Sequence, residues 1–541
     1  MSQPPSQSRR RFLQQAAAGA GTSAALLSLP RLARAQAPVV ISDDRPLAPF
    51  GLQIGDVLAD RAMIWSRSDR PARMLVEWAT TPKFNHPVRV RGPHALEISD
   101  YTARVDLIDL PEDRDIFVRV LFQSLDGKRA ESEPVLGHFR TASRRRREIR
   151  FVWSGDTAGQ GWGINLAWGG MRLYKTMLDA APDFFLHSGD NVYADGPMTD
   201  TVKLPDGSIW KNDFLDEVPQ KRKVAETLDD FRACYRYNLH DPVLRAFNAA
   251  VPQIWQWDDH EVANNWSDAK DLSGDARYSE KRIQTLAARG GRAFLDYAPL
   301  RPGPSEESER VYRKLSYGRE LEVFVIDMRS YRGPNTYNRQ EAPGPDTGYL
   351  GAQQIAWLTR ELARSRAVWK VIASDMPIGL QVGDGLDAQG RPRWENSANG
   401  DGPVLGREFE IAQVLRSIRD QNVHNVVWLT ADVHYCAAHH YDPGKAQFRD
   451  FAPFWEFVAG PANAGTFGPN LLDNTFGPEV VFQKVPPAGQ SNLSPAAGYQ
   501  FFGQVDIDPH SKDMVVALRD VAGETLFSQR LSAEHCAGFE E

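Results

Sequence analysis

Cysteine is scarce in this chain of 541 residues, which has three: Cys234, Cys436 and Cys536. They show no Cys-x-x-Cys spacing, so the sequence encodes neither a disulfide scaffold nor a thiolate zinc site. An apolar run of about 18 residues or more, the length a helical membrane span needs, is absent after residue 35. Positive charge is not in surplus. The 63 Lys and Arg stand against 70 Asp and Glu, a net charge of −7, which argues against a general nucleic-acid binder. Two catalytic signatures are also missing: the Gly-x-x-x-x-Gly-Lys-Ser/Thr loop and the Gly-x-Ser-x-Gly elbow. ATP-dependent phosphoryl transfer and serine hydrolysis lose support accordingly.

What is present suits a large folded protein. The chain is 42% hydrophobic and 25% charged, and at about 100–200 residues per domain its length suggests two to four domains. Ser8 to Gln14 read Ser-Arg-Arg-Arg-Phe-Leu-Gln, followed by a mildly apolar stretch from Ala16 to Leu29 and then Ala33-Arg34-Ala35. This pattern predicts a twin-arginine signal peptide over 1–35, a mature chain from Gln36, and delivery by the twin-arginine translocase to the periplasm or beyond. That route carries proteins already folded, often around a cofactor.

Short alternating segments over 45–143, among them Ala72 to Trp78 and Ile116 to Phe122, predict an N-terminal all-β sandwich of the immunoglobulin or fibronectin type. Ser143 to Glu148 read as a basic, exposed link. From 149 to 531, strand-like runs alternate with helical ones, which predicts an α/β catalytic domain. Residues 196–250 look like an insertion or lid, helical at 224–248, and 330–350 and 380–406 are long polar loops.

The chemistry collects at the carboxyl ends of the predicted strands, where α/β sheets place their sites. Asp156 follows one strand, and Asp190 and Tyr193 follow a second. Asp258, Asp259, His260 and Glu261, then Asn264 and Asn265, follow a third. Asp375 ends a fourth, and Asp432-Val-His434 a fifth, with His439 and His440 soon after. That last pair reads either as ligands or as structural histidines. Oxygen and imidazole donors suit Fe(III), Mn, Mg or Ca. Two such ions about 3.5–4 Å apart clamp a phosphate and activate water, which is phosphoester hydrolysis. Arg329 and Arg332 read either as phosphate-neutralising groups or as structural partners of acidic neighbours.

The ordered set Gly155-Asp156, Gly189-Asp190-x-x-Tyr193, Asp258-Asp259-His260-Glu261 and Asp432-Val-His434 resembles the alkaline phosphatase D (PhoD-like) family of calcineurin-like metallophosphoesterases. So do Asp327-Met-Arg329-Ser-Tyr-Arg332, Leu350-Gly-x-Gln-Gln-x-x-Trp357-Leu358 and Trp455-Glu-Phe-Val458. The resemblance implies an αββα two-sheet catalytic sandwich behind the β-sandwich. It also implies exported hydrolysis of phosphomonoesters or phosphodiesters by a metal-activated hydroxide. Asp156, Asp190, Tyr193, Asp259, Asn264, Asp375, Asp432 and His434 become the expected metal ligands, Asp190 bridging and Tyr193 on iron. His260, Asp259 and Arg329 become the expected catalytic groups. Fe(III) with Ca(II) is the implied metal pair, with Mn or Mg suiting the same site. One position departs: where relatives can carry a Cys ligand after the first strand, Ser154-Gly155-Asp156 stands here. A phosphodiesterase of phospholipase D type and a non-catalytic surface-binding protein are the rival readings. A monomer without a stable nucleic-acid partner is expected.

Overall fold

Continuous apolar runs at the centre, buried on both faces, and alternating strands at the edges build two facing sheets in the computed structural model, which describes residues 45–303 and 307–534. The predicted signal peptide lies outside the described residues. The first sheet has nine strands. In spatial order they are Thr525–Leu531, Met514–Asp520, Phe501–Ile507, Ile149–Ser154, Phe184–Ser188, Gln253–Gln256, Leu52–Gly55, Ala62–Arg67 and Thr102–Leu107. The strands starting at 149, 184 and 253 run parallel. The second sheet has seven. They are Arg313–Tyr317, Leu321–Val325, Trp369–Ala373, Val426–Thr430, Phe454–Val458, Cys436–Tyr441 and Pro478–Lys484, the second to fifth of them parallel.

Alternation decides which layer each side chain joins. Phe151, Trp153, Phe184 and Leu186 meet Val371, Val427, Leu429 and Phe457 between the sheets. Their neighbours point outward. Val152 and Phe185 pack beneath helices Arg172–Asp179 and Pro242–Asn248. Ile372 and Trp428 pack beneath Ala352–Arg364 and Glu408–Asp420. Burying each such large apolar side chain stabilises the fold by about 1.5–3 kcal/mol. The result is the αββα sandwich.

The N-terminal region is all-β, but it is not set apart. Strands Ala72–Ala79, Val88–Ala95, Asp115–Ser124 and Val135–Arg140 form a separate sheet. Its Val76, Val118 and Phe122 pack on Leu52, Ile54 and Val105 of the nine-stranded sheet. Gly55 pairs with Gln253, which makes that sheet continuous between the two regions. A Cβ on Gly55 would sit 1.9 Å from the Pro299 carbonyl oxygen, so only glycine fits. Asp100 adds a polar bolt, accepting from Arg67 at 2.8 Å and from Arg236 at 2.6 Å. The basic link is anchored: Arg147 pairs with Asp183 at 2.8 Å and Arg144 with Asp60 at 2.9 Å.

The helix expected over 224–248 is two helices, Leu228–Asn238 and Pro242–Asn248. Asp241 caps the second through Val243 and Leu244, and Pro242 at its first position ends any continuation from the first. The long polar segments fold back as hairpins, Thr201–Lys203 with Ile209–Lys211 and Gly383–Leu386 with Pro392–Trp394. Among the described residues, no helix is long and apolar enough to cross a membrane.

Candidate metal centre

Strands of both sheets end at one place, and the turns there are unusual. Asp156, Asp190, Asp432 and His434 all adopt left-handed backbone, with φ of 65°, 51°, 65° and 61°. Each such non-glycine residue costs on the order of 1–3 kcal/mol, and such residues gather where function demands them. Glycines make room for the turns. A Cβ on Gly189 would lie 2.5 Å from Asp258 Cβ, and one on Gly460 would lie 2.2 Å from Asp156 Oδ2.

Three overlapping groups of donors result. They are Asp156 with Asp190 and His434, Asp190 with Asp259 and His260, and Asp258 with Asp259 and Asp432; within each, the donor atoms lie within 4.8 Å of one another. Asp190 and Asp259 each belong to two groups. Tyr193 joins the first through its hydroxyl, 2.9 Å from His434 Nε2. Its ring lies against His260, with centroids 4.3 Å apart.

Electrostatics says what is missing from this cluster. Both carboxylate oxygens of Asp156 and Oδ1 of Asp259 are buried with no hydrogen-bond partner. Buried carboxylates without partners are costly. Burial pushes Asp156 and Asp190 well above the usual carboxylate range, and Asp259 and Glu261 add repulsion. Burial lowers His434 to about 4, which keeps the imidazole a neutral donor. Carboxylates, imidazole and a phenol turned inward are the donor set of a hard metal cation, so the residues fit metal ions. Neither thiol among the described residues belongs to a donor group. Burial pushes Cys436 up to about 12 and Cys234 upward too.

His260 is held from behind. Its Nδ1 donates to Asp195 Oδ1 at 2.6 Å, and Asp195 Oδ2 accepts from the Asn264 backbone at 2.8 Å. Burial alone would lower His260. Asp195, Asp259 and Asp190 outweigh it and raise the imidazole well above its ordinary value. Asp195, the partner that orients His260, is not among the residues the sequence marks out. Its signal was proximity alone, five positions past Asp190 in the same loop.

Arg329 is a correction. Expected to face the phosphate, it is fully buried, with Nε 2.6 Å from Asp258 Oδ1 and 3.3 Å from Asp375 Oδ2, and Nη1 on Glu395. No surface remains for substrate. Asp375 is therefore tied to Arg329 and lies outside the three donor groups, though its Oδ1 has no partner. Asn264 is exposed. Glu261 serves structure, accepting from the backbone of Asn191 at 2.5 Å and of Asp258 at 2.9 Å. His439 is spent on Glu456 at 2.9 Å and His440 packs on Trp455, so that pair is structural.

A two-sheet sandwich with carboxylate and imidazole donors gathered at its strand ends is the architecture of a metallophosphoesterase. The chain belongs to the PhoD-like phosphatase family: that family's model matches residues 151–518, and the model of its N-terminal domain matches 34–143. Alkaline phosphatase D of Bacillus subtilis (strain 168) is 27% identical over 318 residues, which is 56% of this chain and 50% of that protein. The match thus spans about half the length of that relative. A solved structure of PhoD shares the fold with a TM-score of 0.65 at 19% identity, covering 93% of this chain and 95% of the other. Purple acid phosphatase PPD1 from yellow lupin (Lupinus luteus) seeds follows with a TM-score of 0.53 at 13% identity, covering 90% of this chain and 74% of its own.

Proposed function

We propose that this chain is an exported, metal-dependent phosphoesterase that hydrolyses phosphomonoesters or phosphodiesters. One observation carries the reading. Asp156 is buried with neither carboxylate oxygen hydrogen-bonded, and it offers an oxygen within 4.8 Å of donor atoms of Asp190 and His434, an arrangement that a bound cation relieves. Family membership and the predicted twin-arginine signal support it. Asp156, Asp190, Tyr193 and His434 would hold one metal, and Asp190, Asp259 and Asp432 a second, with Fe(III) and Ca(II) the favoured pair. Bound there, the metals supply an activated water and offset the charge on the phosphate.

The chain's own groups do the rest. Asp195 fixes the His260 ring through Nδ1 and favours its cationic form, which leaves Nε2 free to give a proton to the departing alcohol. Tyr193 packs on the same ring and limits its rotation. Arg329 holds Asp258 in place beneath the centre.

The test is hydrolysis of p-nitrophenyl phosphate and bis-p-nitrophenyl phosphate by the chain from Gln36, with chelator and then with metal restored. Chelator-sensitive turnover supports the reading, and the ratio of the two rates ranks monoester against diester. Absence of turnover from folded, metal-loaded protein contradicts it.

A further inference from the structure

Arg329, Arg332 and Arg407 are already engaged. Arg329 is enclosed by Asp258, Asp375 and Glu395. The Arg332 side chain is fully buried beside Glu395. Arg407 donates to the carbonyls of Gly333 and Pro334, both at 2.8 Å, and of Glu395 at 2.5 Å. None of them is open to a substrate.

A different pair, Lys270 and Arg393, lies on segments that hydrogen bonds tie to the centre. Asp432 is only partly buried and Asn264 is exposed, so the centre meets solvent there. The Asn265 backbone donates to Asp259 Oδ2. Asn335 Nδ2 then donates to the Asn265 carbonyl at 2.8 Å and to Asp384 Oδ2 at 3.0 Å. Asp384 lies on the 383–394 hairpin, which Asn265 Nδ2 docks through the Gly383 carbonyl at 3.2 Å. Lys270 Nζ is 3.8 Å from Asp384 Oδ1, and an Arg393 terminal nitrogen is 3.9 Å from Oδ2. Both distances exceed a hydrogen bond. Two cations therefore flank the one Asp384 carboxylate. The hairpin's other acid, Asp387, is taken by Arg391 at 2.8 Å. The side chains of Lys270 and Arg393 are 21% and 38% exposed, so solutes reach them.

We propose that Lys270 and Arg393 form a second anion subsite beside the metal centre, which receives a carboxylate or phosphate that the substrate carries in addition to its scissile group. This rests on the phosphoesterase reading and narrows the substrate class to esters with a second anionic group. Arg393 Nε donates to the Asp384 carbonyl at 2.9 Å, which fixes the guanidinium and leaves its terminal nitrogens and the Lys270 ammonium to meet a planar or tetrahedral anion.

The probes are phenylphosphonate and 4-carboxyphenylphosphonate, which bind without turning over. Calorimetry on the metal-loaded protein should give about tenfold tighter binding of the carboxylated probe, the size of one charge-assisted contact. Lys270→Gln with Arg393→Gln should abolish that preference at unchanged Tm, and Lys270→Gln alone should reduce it. Lys270→Arg should keep it. Asp384→Asn, which frees both cations, should enlarge it. With phenyl phosphate and 4-carboxyphenyl phosphate as substrates, the difference should appear in KM rather than kcat. A preference equal in wild type and double variant, or no binding of either probe, overturns the subsite. Absent turnover with the binding preference intact would instead sink the phosphoesterase reading and leave the subsite standing.

Discussion

Asp195 Oδ1 lies 2.6 Å from His260 Nδ1; this contact orients the imidazole and, together with Asp259 and Asp190, raises it above its ordinary value. The same carboxylate caps the Asn264 backbone, so the loop after Asp190 and the loop after Asp259 are fixed to each other. Asp195→Asn removes the charge and keeps the shape. We expect kcat to fall about 10²–10³-fold, with a steeper loss for phenyl phosphate than for p-nitrophenyl phosphate, whose leaving group scarcely needs a proton. An equal loss on both substrates would reduce Asp195 to a structural role.

Gly460 is the close neighbour that lets Asp156 turn inward. A methyl group there would sit 2.2 Å from Asp156 Oδ2, well inside contact distance. Gly460→Ala should therefore displace the carboxylate and weaken metal binding by about 10–100-fold. Titration of the metal-stripped variant, with circular dichroism to confirm the fold, checks this. Wild-type affinity would mean that Asp156 is not a ligand.

The Arg329 network gives a stability prediction instead of a catalytic one. Arg329→Leu strands Asp258, Asp375 and Glu395 as buried carboxylates without a counter-charge, and breaking such a pair costs about 3–5 kcal/mol. Urea unfolding should reveal the loss, and adding Glu395→Leu should recover part of it. An unchanged midpoint for the single variant would refute the network's role.

Glu408 makes stability depend on pH. Burial raises its carboxyl to about 9, with Asp473 adding to the effect. The folded state thus holds this proton while the unfolded chain has lost it, from about pH 4.5 to about 9. Protons bound to the folded state alone make stability fall as pH rises through that window. Glu408→Gln should flatten the fall, seen as a smaller loss of Tm between pH 5 and pH 9. A slope identical to wild type would contradict the assignment.

Much of the centre was legible because apolar strand-like runs end in Gly-Asp, in Asp-x-His or in the Asp258-Asp259-His260-Glu261 run. Asp156, Asp190, Asp259, Asp432 and His434 were readable from those strand ends, and these five do converge. The buried partners were not. Arg329 sits in the same kind of strand-end cluster as the ligands, and only tertiary packing decides whether such an arginine faces solvent or three carboxylates. Asp195 is in a loop with no periodicity to mark it. The seam between Gly55 and Gln253 joins strands about 200 residues apart, and its one cue, a glycine at a strand end, has many meanings. The break at Asp241-Pro242 was in plain view as a cap followed by a proline, yet the polar and aromatic stretch 224–248 read as one helical span.

Metal content set against turnover tests the central claim most directly. The chain from Gln36 and its Asp190→Asn variant, equally folded by circular dichroism, would be analysed for bound metal and for p-nitrophenyl phosphate hydrolysis in the same preparations. The account predicts at least two metal ions in the wild type, fewer in the variant because the shared carboxylate is gone, and turnover only where the metals remain. Full activity in protein stripped of metal, or in Asp190→Asn, would contradict it.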